Sequence, residues 1–293
     1  MRYATIKIET WNELASCLSE SESSGCLYRG QSDSSWRLVP DLYRGFLRRI
    51  QSARAKTGAG VELSALLILV RLPLIRDSHF GSMVRSFAQA VREIANEYGA
   101  LPAKPPLDGS HYWTAFGRHY GLHVPALDWT SDWRVAAFFA LKRARSDVER
   151  RAAVWVLKAN LVSPRLLVIP QAPGLMREQA QSAVLVETIG EVFSDAGLSE
   201  KDELLCYSVS LSARESGLAK LESWGFSAAT LFPDQPCELG QLLEQAAINA
   251  NELGERTLDG LIDPQLSELD VLKRISIAEA HSPRILPALE DIG

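Results

Sequence analysis

The chain of 293 residues carries 31 Lys plus Arg against 36 Asp plus Glu, a formal charge of −5, with 46% hydrophobic and 23% charged residues. That balance belongs to a folded globular protein and excludes disorder as the main state. A pI near 5.7 also excludes a surface that is basic throughout, although a local basic patch remains open.

In chain order, Tyr3 to Ile8 alternates as a short strand, and Thr10 with Glu13 makes a capping box for a helix to about Glu20. Serines and Gly25 then precede Cys26-Leu-Tyr-Arg-Gly30, which reads as a buried strand ending at glycine. Helical spacing follows over Leu42 to Arg54, Val61 to Leu72 and Met83 to Tyr98, and the turn-rich Gly99 to Gly109 reads as a loop within the domain. Tyr112 to Tyr120 is expected to be a helix stopped at Gly121. Asp132 to Arg145 is expected to be another, with Ala136, Ala137, Phe139 and Ala140 forming a small, close-packing face. Strands are expected over Ala152 to Leu157, Leu166 to Ile169, Leu204 to Val209 and Gly225 to Phe232. Strands and helices do not alternate strictly, so the pattern predicts an α+β fold: a mixed small sheet with several surrounding helices. The domain is placed at residues 1–249, with residues 250–293 a helical or partly ordered appendage.

Several readings limit the setting. The longest apolar run, Leu63 to Pro73, is about half the ~20 residues a spanning helix needs, and it contains Arg71. No membrane partner is expected. The first residues lack the apolar core of a secretory signal. Cys17, Cys26, Cys206 and Cys237 show no metal-ligand spacing, so four buried thiols, a reducing cytoplasm and no metal are the expectation.

Two segments are candidates for chemistry. The first is Tyr28-Arg-Gly-Gln-Ser-Asp-Ser-Ser-Trp36. An arginine at a strand end beside a glycine presents a planar fork to phosphate or carboxylate, and the glycine lets a ligand approach the backbone. An internal pair between Arg29 and an acid such as Asp128 explains the arginine equally well. The second segment is His119-Tyr-Gly-Leu122 leading to Leu127-Asp-Trp-Thr-Ser131. Thr130 or Ser131 is first of all a cap for the next helix, but free amides and hydroxyls at a helix start also receive anions, and Trp129 beside them offers a stacking face. Glu187 and Glu191, four apart, fit the solvated face of a helix.

Together these segments resemble the FRG domain family, whose pattern is aromatic-R-G-Q, then W-x-L-x-P, then a block of the form Q-H-Y-G-L-P-T-R-L-L-D-W-T-(S/Y)-x-P-x-x-A-x-x-F-A. Tyr28, Arg29, Gly30, Gln31, Trp36, Leu38 and Pro40 match the first part. His119 to Leu122, Leu127 to Ser131, Ala136, Phe139 and Ala140 match the second. Arg177 to Ala183, with Gln181, resembles a later family segment, and Gly225 to Asp234 its closing element. The chain departs from the pattern in having Val124-Pro-Ala-Leu127 where the family has an arginine, and Arg118 where it has glutamine. Arg118 is a candidate substitute for the missing arginine.

The layout is also similar, remotely, to ADP-ribosyltransferases of the R-S-E kind, and that similarity implies the roles that follow. Arg29 would hold a phosphate of NAD, Thr130 and Ser131 would wall the nicotinamide pocket, and Gln181 would take the last catalytic position. Because a neutral amide cannot supply a carboxylate's charge to a developing cation, Glu178 or Glu187 stands as the alternative acid. Gln31, Trp36, Arg118, His119, Tyr120, Asp128 and Trp129 complete the expected ligand site. The implied fold is ADP-ribosyltransferase-like and the implied function is ADP-ribosyl transfer or NAD cleavage, in the setting of a toxin or anti-phage defence component. NAD would be the substrate, a protein or nucleic acid the acceptor, and an antitoxin a further partner. The alternatives are a non-catalytic nucleotide or nucleic-acid binding module using Arg29, Trp36 and Trp129, and a purely structural partner-binding domain.

Overall fold

The computed structural model describes residues 4–22, 25–36, 38–45, 79–99, 110–142, 151–158, 166–169, 175–188, 203–233 and 238–261. The chain begins as its sequence predicts. Strand β1 (Ala4–Ile8) leads into the capping box, in which the Glu13 amide donates to Thr10 Oγ1 at 3.3 Å and the Thr10 amide to Glu13 Oε2 at 3.0 Å. These two bonds satisfy amides that the first turn of α1 (Trp11–Ser21) leaves without helical partners. β2 (Leu27–Gln31), α2 (Gly81–Tyr98), α3 (Ser110–His119), β3 (Leu127–Thr130), α4 (Trp133–Lys142), β4 (Arg151–Lys158) and β5 (Leu166–Ile169) follow. After them come α5 (Met176–Ala180), β6 (Ala183–Thr188), β7 (Glu203–Ser210), α6 (Arg214–Ser223), α7 (Ala228–Leu231) and α8 (Glu238–Leu261).

Among the described residues the strands form one sheet of seven in the order β1-β7-β4-β2-β3-β6-β5, with β1 parallel to β7 and all other neighbours antiparallel. This is an α+β fold with a mixed sheet. Alternation along the strands separates the cores. Tyr28, Ala152, Val154 and Val156 join one buried cluster with Trp11, Trp133 and Ala137 under α1, α4 and α6. Leu27, Ala153, Trp155, Leu157 and Trp129 join another on the opposite face. A third, with Phe87, Phe116, Leu185 and Leu243, packs α2, α3 and α8 against β5 and β6. Thr130 pairs with Tyr28 on one side and Ala183 on the other, so Leu185 shares the sheet face of Tyr28. Two helical groups therefore stand side by side on that face.

One glycine makes the first group possible. A Cβ on Gly30 would lie 1.9 Å from the Ala136 carbonyl oxygen and 2.7 Å from the Ala140 amide nitrogen. The glycine admits α4, and the small face read from Ala136, Ala137 and Ala140 is what rests on it.

Several expectations change. Gly225 to Phe232 is not a strand. Gly225 turns the chain at φ +88°, and Ser227 with Thr230 forms a second capping box for α7. Side-chain oxygens within hydrogen-bond reach of their own amides outcompete the apolar run for this backbone. Leu127 to Thr130, read only as the approach to a helix, is β3, and Ala183 to Thr188 is β6. Glu187 lies in β6 at 4% exposure, not on a solvated helix face. α8 runs unbroken through residues 249 and 250, where the polar pattern sets a boundary, and buries Ala250 with Phe87. Among the cysteines, Cys26 and Cys206 are buried and Cys17 is half-buried. Burial pushes the Cys206 thiol up to about 11, so it stays protonated at neutral pH. No described helix is long and apolar enough to cross a membrane. Residues 46–54, the helix expected over 61–72, most of the loop at 99–109, Glu191, Asp234, Cys237 and the chain past 261 lie outside the described residues.

Candidate functional site

A cleft of about 590 Å³ opens between the two helical groups over β2, β3 and β6. Its position follows from the sheet. β2 runs beside β4 for five residues but meets β3 at one register pair, Tyr28 opposite Thr130. Past that pair the strands part. Arg29 reaches into the opening, where its Nη1 donates to the Asp128 backbone carbonyl at 2.5 Å and stands 3.8 Å from Asp128 Oδ2. Its Nε, buried, has no hydrogen-bond partner among the described residues. Desolvation lowers the pKa of this guanidinium, with the Asp128 charge opposing the shift.

Asp128 is held chiefly by Arg118. Arg118 Nε donates to Oδ1 at 3.0 Å and to Oδ2 at 3.1 Å, and Nη2 donates to Oδ2 at 2.6 Å. The same guanidinium gives its Nη1 to Asp41 Oδ2 at 2.5 Å, and Asp41 Oδ1 is 2.7 Å from Arg44 Nη1. Burial alone would raise the Asp128 carboxyl, but the charge and hydrogen bonds of Arg118, with Arg29 beyond, hold it down to about 2. Asp41 is lowered as well, because Arg118 and Arg44 outweigh its desolvation. The Arg118 pKa rises, drawn mainly by the Asp128 charge against its own desolvation. Asp128 is therefore ionised at any physiological pH, and its side chain remains 43% exposed to the cleft.

The internal pairing of Arg29 and Asp128 weighed from sequence is present, yet it is the weaker contact. Arg118, the residue in the family's glutamine position, makes the strong one. Its fork is turned to two carboxylates, so it does not stand as a phosphate-ready replacement for the missing arginine. Asp41 went unread in the sequence, although its spacing of three from Arg44 is the signal that pairs them on one helical turn.

Arg29, Gln31, Trp36, Arg118, His119 and Asp128 all line the cleft, together with Thr130 and Gln181. Among them, Trp36 is 54% exposed and free to meet a planar ligand. Gln31 is buried, and its Oε1 accepts from Trp155 Nε1 at 2.8 Å, so it braces β2 against β4. Other residues are placed elsewhere. Ser131 is exposed outside the lining, and its amide donates to the Ser182 carbonyl at 3.2 Å. Tyr120 packs on Phe116 rather than facing the cleft. Trp129 does line the cleft, but its ring is buried within a core cluster, so it offers no stacking face. The cap of α4 is Asp132, whose Oδ1 accepts from the Arg134 amide at 2.9 Å.

Thr130 and Gln181 bond to one another across the wall. Thr130 Oγ1 donates to the Gln181 backbone carbonyl at 2.7 Å and accepts from the Asp132 amide at 3.0 Å. Gln181 Nε2 donates to the Leu231 carbonyl at 2.8 Å, which ties the end of α5 to α7. Of the alternative acids, Glu178 lines the cleft and Glu187 does not. Gln181→Glu therefore tests the residue directly. A carboxylate facing the Leu231 carbonyl loses a donor and gains a repulsion of about 1–3 kcal/mol, so the melting temperature should fall by roughly 3–9 °C. A rise in turnover without loss of stability would instead establish the position as catalytic.

Among the described residues no three His, Cys, Asp or Glu side chains converge as a metal site. A search of curated proteins and one of solved structures gave no match. The family model of the FRG domain matches residues 24–149, a span that takes in Arg29, Arg118, Asp128 and Thr130 and ends before Gln181. The chain carries an FRG domain over residues 24–149, the span that the family model matches.

Proposed function

We propose that the cleft binds a nucleotide of the NAD class and that the domain cleaves it or transfers its ADP-ribosyl group, as suits a toxin or defence component. The observation that supports this reading is the convergence of three distant segments, carrying Arg29, Thr130 and Gln181, on one cleft large enough for a substantial part of a dinucleotide. In the reaction, the bond between nicotinamide nitrogen and ribose C1′ breaks and its electron pair leaves with nicotinamide. The oxygen or nitrogen of water or another acceptor then bonds to C1′ and gives up its proton. Glu178 lines the cleft and is the carboxylate we assign to receive that proton.

A second reading is a non-catalytic nucleotide-binding module. The observation in its favour is that the Thr130 hydroxyl and the Gln181 amide are both spent on holding the walls together.

Incubation of the folded protein with NAD, following nicotinamide release with and without cell lysate, tests the two. Release that is lost in Glu178→Gln and strongly reduced in Arg29→Ala is the expected result. Saturable NAD binding without release would favour the binding module, and absence of both would overturn the nucleotide reading. A melting curve for each variant separates chemistry from folding.

A further inference from the structure

α3 ends in a turn that its own backbone closes. The Gly121 amide donates to the Arg118 carbonyl at 3.1 Å and the Leu122 amide to the Gly117 carbonyl at 2.8 Å, with Gly121 at φ +95°. This pair of bonds around a left-handed glycine is the Schellman motif, and it satisfies carbonyls that the last turn of a helix leaves open. Gly121 lines the cleft, and Arg118 stands within the turn that the motif closes.

The other side of this turn is held by α8, beyond the FRG domain at residues 24–149. Asn251 Oδ1 accepts from the His123 amide at 2.8 Å, and Asn251 Nδ2 donates to the Gly121 carbonyl at 2.9 Å. One planar amide thus uses its acceptor and a donor to pin the backbone on both sides of Leu122, which is fully buried. α8 is itself fixed at this level. Ala250 is buried in the cluster of Phe87 and Phe116, and Gly254, one turn on, lies so near α2 that a Cβ there would come within 2.5 Å of Met83 Sδ. The contacts run from α2 through α8 and Asn251 to the end of α3, and from there to the guanidinium that bonds Asp41 and Asp128. A forked contact to two carboxylates depends on where its arginine starts from, because hydrogen bonds weaken steeply with misalignment.

We propose that Asn251 is a positioning residue of the cleft: it fixes the C-terminal turn of α3 and, through that turn, the Arg118 that holds Asp41 and Asp128. α8 then belongs to the working domain and not to an appendage. The consequence for a ligand rests on the nucleotide reading above, whereas the effect on Arg118 does not.

Thermal unfolding of Asn251→Ala across pH tests the proposal, with Ala250→Gly, which weakens α8 without removing the Asn251 amide, as the comparison. Loss of the two hydrogen bonds should lower the melting temperature by roughly 2–6 °C at pH 7. Because Arg118 stabilises ionised carboxylates, the shift should shrink toward pH 3 in Asn251→Ala and stay level in Ala250→Gly. His123 is also near the clamp; desolvation lowers its pKa, and the charges of Asp41, Glu255, Arg118 and Arg44 act on it. Repeating the comparison in Arg118→Ala separates these groups: a pH-dependent part that runs through Arg118 disappears there, and one that arises at His123 or Glu255 persists. Asn251→Ser enters the same comparison if the alanine variant does not fold. In titration calorimetry at a temperature where all variants are folded, Asn251→Ala should weaken NAD by about fivefold, the equivalent of one lost hydrogen bond, and Ala250→Gly should leave it unchanged. A melting shift that is level with pH, or equally pH-dependent with and without Arg118, would overturn the assignment, as would unchanged NAD binding by Asn251→Ala where the wild type binds. If the wild-type protein binds no NAD, the nucleotide reading falls, and the thermal comparison alone decides whether Asn251 positions Arg118.

Discussion

Gly30→Ala is expected to destabilise the protein by about 3 kcal/mol or more, lowering the melting temperature by roughly 6–12 °C, the largest effect of any single methyl group in the cleft region. The added Cβ would sit 1.9 Å from the Ala136 oxygen and 2.7 Å from the Ala140 nitrogen. Both are backbone atoms of α4, so no rotamer change relieves the overlap. The helix must withdraw from the sheet, and with it Ala136, Ala137 and Ala140, which are all but inaccessible to water, and the wall of the cleft that Phe139 provides. Truncating Ala136 to glycine cannot rescue the variant, because the obstacle is its carbonyl and not its methyl group. Thermal unfolding monitored by circular dichroism checks this. A melting temperature within about 2 °C of wild type would show that α4 rides on the sheet more loosely than the contact implies.

Arg118→Ala is expected to lower stability by about 2–3 kcal/mol at neutral pH, less than the 3–5 kcal/mol of a fully buried pair because water reaches both partners. Two carboxylates lose the guanidinium between them and face each other across the space it leaves. Arg118→Lys should recover only part of the loss, since an ammonium cannot reproduce the forked contact to both Asp128 oxygens and to Asp41 together. The pH dependence carries the diagnostic sign. The Asp128 pKa, about 2 when folded, lies below its ordinary value of about 3.9, so the ionised form contributes stability at higher pH. That contribution is complete above about pH 5 and is lost as pH falls through 4 toward 2. Without Arg118 the carboxyl has burial and a neighbouring Asp41 acting on it, which favour the protonated form. The difference in melting temperature between wild type and Arg118→Ala should therefore be largest near pH 7 and shrink toward pH 3. A difference constant across that range would show that Arg118 contributes through packing alone.

The elements legible in the sequence are those decided by neighbours along the chain. Thr10 and Glu13 form their capping box because both groups lie within one turn, and the apolar run around Val154 becomes a central strand because both of its faces are buried. The small face of α4 was legible for the same reason, as a stretch of alanines at helical spacing. Arg29, Asp128 and Thr130 could be marked as a site from their motifs, and they do converge on one cleft.

What the motifs could not supply is the use each side chain is put to. Gln181 has the position of a reacting group in the remote analogy, but its amide is bonded to Leu231, 50 residues later in the chain. Trp129 has the composition of a stacking platform, but strand alternation turns its ring into the core. Ser227 and Thr230, close enough to cap their own helix, convert a β-like run into a turn and α7, so the local signal was present there and the apolar pattern masked it.

The sequence by itself determined the α+β class, most of the element positions and the identity of the residues that approach the cleft, because caps, alternation and helical spacing act over a few residues. Only the tertiary structure decided that Arg118 joins Asp41 to Asp128, that Gly30 lets α4 approach the sheet, and that Arg177 and Lys142 meet at Phe232. Each of these depends on segments tens of residues apart, brought together where β2 and β3 part, and no spacing along the chain encodes that opening.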